Sequence, residues 1–178
     1  MHALYGLLVA PSPRAEGDVP EFVKQAIWDK QKAVMSFVKT DSPCVVPDQG
    51  NFEAVFWFRN RPGGNVASGV QVSHLEMLLI WPDVHVCNVG SANFGGPTDV
   101  GPGELWNFRI ILSPWMVQKQ DVQVRASVDY IAGTNPTTGK DRPASTPFCQ
   151  ELDKTTGQLR WVSCLGKPTP VCSRLIVE

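Results

Sequence analysis

Residues 121–130, DVQVRASVDY, alternate without a break. Val122, Val124, Ala126, Val128 and Tyr130 fall on one side, and Gln123, Arg125, Ser127 and Asp129 on the other. A period of two over this length predicts a strand with one buried face and one wet face. The same grammar runs through NFEAVFWFRN (51–60), where Phe52, Ala54, Phe56 and Phe58 share a side, and through LWNFRIIL (105–112). VQVSHLEMLLIW (70–81) is longer and more apolar, as a central strand would be. Between these runs lie RPGGN, NFGGPTDVGPGE and GTNPTTGKDRPAS, all rich in turn formers. About six or seven short strands at such spacing, with no alternating helices, predict a sandwich of two antiparallel sheets.

One segment breaks this pattern. Residues 18–39, DVPEFVKQAIWDKQKAVMSFVK, place Phe22, Val23, Ala26, Ile27, Ala33, Val34, Phe37 and Val38 at helical spacing. Asp18 and Glu21 have the spacing of a capping box, and Pro20 would sit in the first turn. The expected organisation is therefore an apolar segment at 1–17, an amphipathic helix and linker at 18–48, and a β-sandwich domain at 49–178. The run from Ala3 to Ala10 has the length of a minimal signal-peptide core. It lacks a preceding Lys or Arg and a clean A-x-A site, and a buried strand or a membrane-segment remnant explains it equally well. It is too short to span a bilayer.

TPFCQELDKTTGQLRWVSC (146–164) sets two cysteines on either side of a turn at Asp153–Gly157. Two hairpin registers are open. One pairs Leu152 with Leu159; a tighter one sets Cys149 directly opposite Cys164. In both, Phe148, Leu152 and Trp161 share one face and the cysteines share the other. Opposite residues approach to about 4.5–5.5 Å between Cα atoms, within disulfide range. The competing reading is a pair of buried thiols, and Cys172 is an alternative partner. Five cysteines are an odd number, so at least one of Cys44, Cys87 and Cys172 is expected to stay free. No two cysteines have C-x-x-C spacing and His2, His74 and His85 are scattered, so neither a zinc site nor a redox motif is expected.

The remaining chemistry is sparse. GTNPTTGKD has one residue too many for a phosphate loop, and Asp141 stands where Ser or Thr should be. His74 and Glu76 share a strand face, which is compatible with acid–base work but is ordinary for a wet face. No nucleophile–base pattern and no paired carboxylates are visible, so neither an enzyme nor a cofactor is expected. Sixteen Lys and Arg against seventeen Asp and Glu leave a net charge of −1, which argues against nucleic-acid binding. Trp57, Trp106 and Trp161 are expected in the core. Trp81 and Trp115 each adjoin a proline at a strand end, where a ring can stack on a ligand or anchor a partner.

Several of these features occur together elsewhere. Asn60 to Ala67, Pro102–Gly103, Tyr130, Phe148–Cys149 and Asp153 to Gly157 resemble positions in a group of uncharacterised bacterial membrane-anchored proteins. The resemblance covers roughly residues 50–164. It implies an immunoglobulin-like extracytoplasmic sandwich and no site residues. The chain departs from the group in its longer RPGGN turn, its extended loop after Tyr130 and the lack of a complete preceding membrane helix.

The expectation is thus a mainly β, immunoglobulin-like protein acting as a non-enzymatic extracytoplasmic interaction or assembly module. Its partner would be another protein or a second copy, with membrane proximity left open. The helix stripe and the sheet edges would be its contact surfaces. The alternative is a domain binding carbohydrate or a small ligand through Trp81 and Trp115. A capsid-like structural subunit is third.

Overall fold

The computed structural model describes residues 19–46, 51–80, 85–87, 91–113, 121–153 and 159–166. A helix, α1 (Glu21–Gln31), is followed by β1 (Met35–Val46), β2 (Asn51–Asn60), β3 (Ala67–Ile80), β4 (His85–Cys87) and β5 (Ser91–Asn93). Then come β6 (Thr98–Val100), β7 (Leu105–Leu112), β8 (Asp121–Thr134), β9 (Asp141–Asp153) and β10 (Arg160–Ser163). One sheet has the order β1-β2-β7-β5. The other runs β10-β9-β8-β3-β4, with β6 also paired to β3. All pairings are antiparallel, so the chain is a mainly β protein of sandwich type.

Alternation places the core as expected. Phe56, Phe58, Phe108, Ile110 and Leu112 from the first sheet face Val122, Val124, Val128 and Leu152 from the second. Phe148 of β9 crosses the gap, its ring centroid 4.9 Å from Phe56, 5.4 Å from Phe58 and 5.7 Å from Phe108. Edge-to-face rings at these distances add attraction beyond the area they bury. The start of β1 also bridges the sheets. Ala33 N–H donates to Ala132 O, Met35 N–H to the Tyr130 hydroxyl, and the Thr146 hydroxyl to Met35 O.

The helix is shorter than the expected 18–39. Lys32 leaves it in an extended conformation (φ −54°, ψ 143°), and residues 35–46 pair with β2 instead. Its last carbonyls are held from the β2–β3 turn: Arg61 donates to Asp29 O and Lys32 O, and Asn65 N–H donates to Gln31 O. A guanidinium there also complements the negative end of the helix dipole. Of the expected capping box, Asp18 lies outside the described residues. Pro20 is the N-cap without a side-chain hydrogen bond, and Glu21 accepts from Thr137 and Lys24. The expected apolar stripe reaches the core only beyond the helix, through Ala33 and Phe37. Phe22 is 75% exposed and Ile27 is half exposed, while Trp28 is the buried side chain of the helix.

Two further expectations change. Trp57 lies on the outward face of its sheet, because its neighbours Phe56 and Phe58 both point inward; Trp106 and Trp161 do join the core. The outer face of β8 is not wet along its whole length. Gln123 is 1% exposed there, donating to Glu151 and accepting from Arg125.

The hairpin of β9 and β10 takes the tighter register. Arg160 opposes Asp153 and Trp161 opposes Leu152, which sets Cys149 against Cys164. Their Cα atoms are 5.3 Å apart and their sulfurs are at bonding distance, 2.01 Å. The turn at 154–158 lies outside the described residues, as does the N-terminal segment 1–18. A crosslink spanning 15 residues restricts the unfolded chain, so Cys149→Ser should cost about 3 kcal/mol. Urea unfolding with and without reductant checks this: the reductant should remove most of the difference between wild type and variant.

Candidate functional site

The outer face of the larger sheet carries a groove of about 380 Å³ lined by Ser68, Gly69, Gln71, Asp129, Tyr130, Ile131, Pro143, Ala144 and Ser145. Its floor follows from register. Gln71, Asp129 and Ser145 stand in one row across β3, β8 and β9. Its wall follows from a bulge. The pairing of β3 slips between Ser68 and Gln71, where Gly69 takes a left-handed conformation (φ 63°) and donates its N–H to Asp99 Oδ1 at 2.8 Å. A second slip between Val72 and His74 frees Ser73 from the ladder.

Asp129 is ringed by hydroxyls. The Ser127 hydroxyl donates to Oδ1 at 3.1 Å. Hydrogen bonds from Ser73 foremost, then from Ser145 and Ser127, outweigh the cost of partial burial and hold the carboxyl below the ordinary aspartate range. A group ionised more readily in the folded state stabilises the fold above its unfolded pKa. That contribution is lost as the pH falls through the folded pKa. Ser73→Ala should therefore move the Asp129 midpoint upward and bring acid destabilisation to higher pH. Carboxyl chemical shifts against pH check the midpoint; an unmoved midpoint would remove Ser73 from the network.

The outer face of the four-stranded sheet is the second candidate. Trp57 Nε1–H donates to Asp41 Oδ2 at 2.6 Å, and Lys39 Nζ lies 2.8 Å from Asp41 Oδ1 and 5.9 Å from the Trp57 ring centre. Lys39 first and Trp57 second keep the Asp41 carboxyl below its ordinary range. The indole is thus held in one pose on a half-buried surface. Around it stand Val55, Arg59, Asn107 and Arg109, with Arg109 ion-paired to Glu53 at 2.9 Å.

His74 and Glu76 do meet, 3.3 Å apart, on an exposed stretch of β3. Among the described residues no group of three His, Cys, Asp or Glu side chains could hold a metal ion. Residues 135–140 form a hairpin turn rather than a phosphate loop, with Asn135 Oδ1 accepting from the N–H groups of Thr137 and Thr138. Trp81 and Trp115 lie outside the described residues. Sequence reasoning missed the groove because bulges build it, and missed Trp57 because its apolar character was weighed above its place in the alternation. No family model, curated protein or solved structure matches the chain. No helix among the described residues is long and apolar enough to cross a membrane.

Proposed function

We propose that the chain is a non-enzymatic protein-interaction module of an extracytoplasmic, oxidising compartment, built on an immunoglobulin-like sandwich. The observation that carries the interaction reading is the Trp57 face. Trp and Arg are the residue types that dominate binding hot spots, and an indole already fixed by Asp41 and Lys39 loses little freedom on docking. The Cys149–Cys164 pair supports an oxidising compartment. The strand orders β1-β2-β7-β5 and β4-β3-β8-β9 support the immunoglobulin-like reading, since they follow the A-B-E-D and C′-C-F-G arrangement, with β10 as an addition.

A photo-crosslinking amino acid in place of Asn107, beside Trp57, tests the reading in cells of the source organism. The same probe in place of Gln71, on the opposite face, is the control. The expected result is a discrete adduct from position 107 alone, lost with Trp57→Ala. No adduct, or equal adducts from both positions, would overturn it.

The groove around Asp129 favours a second reading, binding of a small polar ligand such as a polyol or sugar. Hydroxyl, amide and carboxylate groups line it beside an apolar wall from Ile131 and Pro143. Amide-shift changes confined to residues 68–71 and 129–131 on adding sugars would support that reading.

A further inference from the structure

From the register of the four-stranded sheet we infer that the chain pairs with a second copy of itself, face to face, through the surface around Trp57. This rests on the interaction reading above and names its partner. The observation is an antisymmetry in the strand pairing. Thr40, Phe56 and Phe108 stand in one row across β1, β2 and β7. A two-fold axis laid over that row, perpendicular to the strands, stacks each strand antiparallel on its own copy. Every outward residue then meets the residue equally far on the other side of the row.

The resulting partners are complementary. On β1, Lys39 meets the Asp41 of the second copy. On β2, Val55 meets Trp57 and Glu53 meets Arg59. On β7, Asn107 meets Arg109 and Leu105, itself 46% exposed, meets Ile111. Charges therefore meet opposite charges, apolar groups meet apolar groups, and an amide meets a guanidinium. No like-charge pair arises in any of the three strands. An isologous contact demands this self-complementarity, and an unrelated partner would leave no reason for it to be centred on one row. Sheets stack about 10 Å apart and about 30° off parallel, so the match is closest near the axis. The long Glu53 and Arg59 side chains reach across the larger offset at the ends. Trp57 supplies the apolar centre, and the ion pairs already formed within each chain, Lys39–Asp41 and Glu53–Arg109, become parts of wider networks.

Three strands by seven residues cover roughly 15 Å by 20 Å, the size of a weak, transient contact, so the expected dissociation constant is of order a hundred micromolar. Sedimentation equilibrium of the full, oxidised chain over that range tests it. Wild type should dimerise. Arg59→Glu and Glu53→Arg should each weaken the dimer about ten-fold or more, because each sets two like-charge pairs across the interface. An equimolar mixture of the two variants should recover association, since each mixed pair restores Glu against Arg twice. A merely structural role for either residue would not produce that recovery. A monomeric wild type, unaffected variants, or a mixture no better than its components would each overturn the inference. If wild type is monomeric while a probe at position 107 still traps a different protein, the dimer falls and the interaction reading stands. If the probe traps nothing, both fall.

Discussion

Asn60→Ala should be among the most damaging substitutions in the chain, costing about 3–5 kcal/mol. Asn60 is fully buried at the end of β2. Its Oδ1 accepts from Val34 N–H at 3.2 Å, and its Nδ2 donates to Asn65 O at 2.8 Å and Val100 O at 3.0 Å. One amide thus ties the link between α1 and β1, the β2–β3 turn and β6 to the end of β2. The partners also fix which way the amide points, since only an oxygen serves an N–H and only an NH₂ serves two carbonyls. Truncation leaves one donor and two acceptors of the backbone unpaired around a buried or half-buried site, each worth about 1–3 kcal/mol. Water entering the vacated volume recovers part of this, which sets the range below the simple sum. Total stability for a domain is about 5–15 kcal/mol, so the variant should unfold well before wild type in urea. Asn60→Asp is the sharper comparison. It keeps the acceptor for Val34, loses both donations and adds a buried charge, so it should be no better than alanine at neutral pH. A loss below about 1 kcal/mol for alanine would show that the network does not hold these elements together.

What could be read from the sequence divides along the distance between partners. The strand β8 and the existence of the Cys149–Cys164 hairpin are local: alternation gives the first and a turn between two short apolar patterns the second, while both hairpin registers satisfied that pattern and the structure selects the tighter one. Residues 33–38 are a different case. Ala33, Val34, Phe37 and Val38 satisfy a helical period and also fit a strand beginning, so periodicity alone could not choose. Contacts far along the chain make the choice. Arg61 ends the helix by taking its last carbonyls, and β2 offers a strand edge to residues 35–46. For the same reason nothing local marks Asn60, because its three side-chain partners are spread over residues 34 to 100. The Asp129 row was visible as the wet face of β8, but the bulges at Gly69 and Ser73 that open the groove leave no periodic signal. Trp57 was legible in principle. Its position between Phe56 and Phe58 already assigned it to the outer face.

Gly133→Ala should cost about 2–4 kcal/mol, although the added group is a single methyl. Two costs coincide. Gly133 has φ 121°, a conformation that L residues seldom adopt. A Cβ there would also meet Asn65 Nδ2 at 2.8 Å and the far edge of the Trp28 ring at 3.0–3.1 Å. The Asn65 amide can swing aside. The indole cannot, because it is 3% exposed, is the buried anchor of α1 and lies beneath the Arg142 guanidinium at 5.9 Å. Glycine at 133 is thus what lets an aromatic ring seat directly on β8, and the helix is held to the sandwich through that seat and through Arg61 and Asn65. The variant should lift the helix rather than disturb the core, so amide exchange should quicken across residues 21–31 while β7 and β8 keep their protection. A double-mutant cycle separates the two costs. In a Trp28→Ala background the steric part vanishes, and Gly133→Ala should then cost only the backbone part, about 1–3 kcal/mol. Equal costs in both backgrounds would mean that the ring does not rest on this glycine, and the helix would owe its place to its hydrogen bonds with Arg61, Asn65 and Thr137.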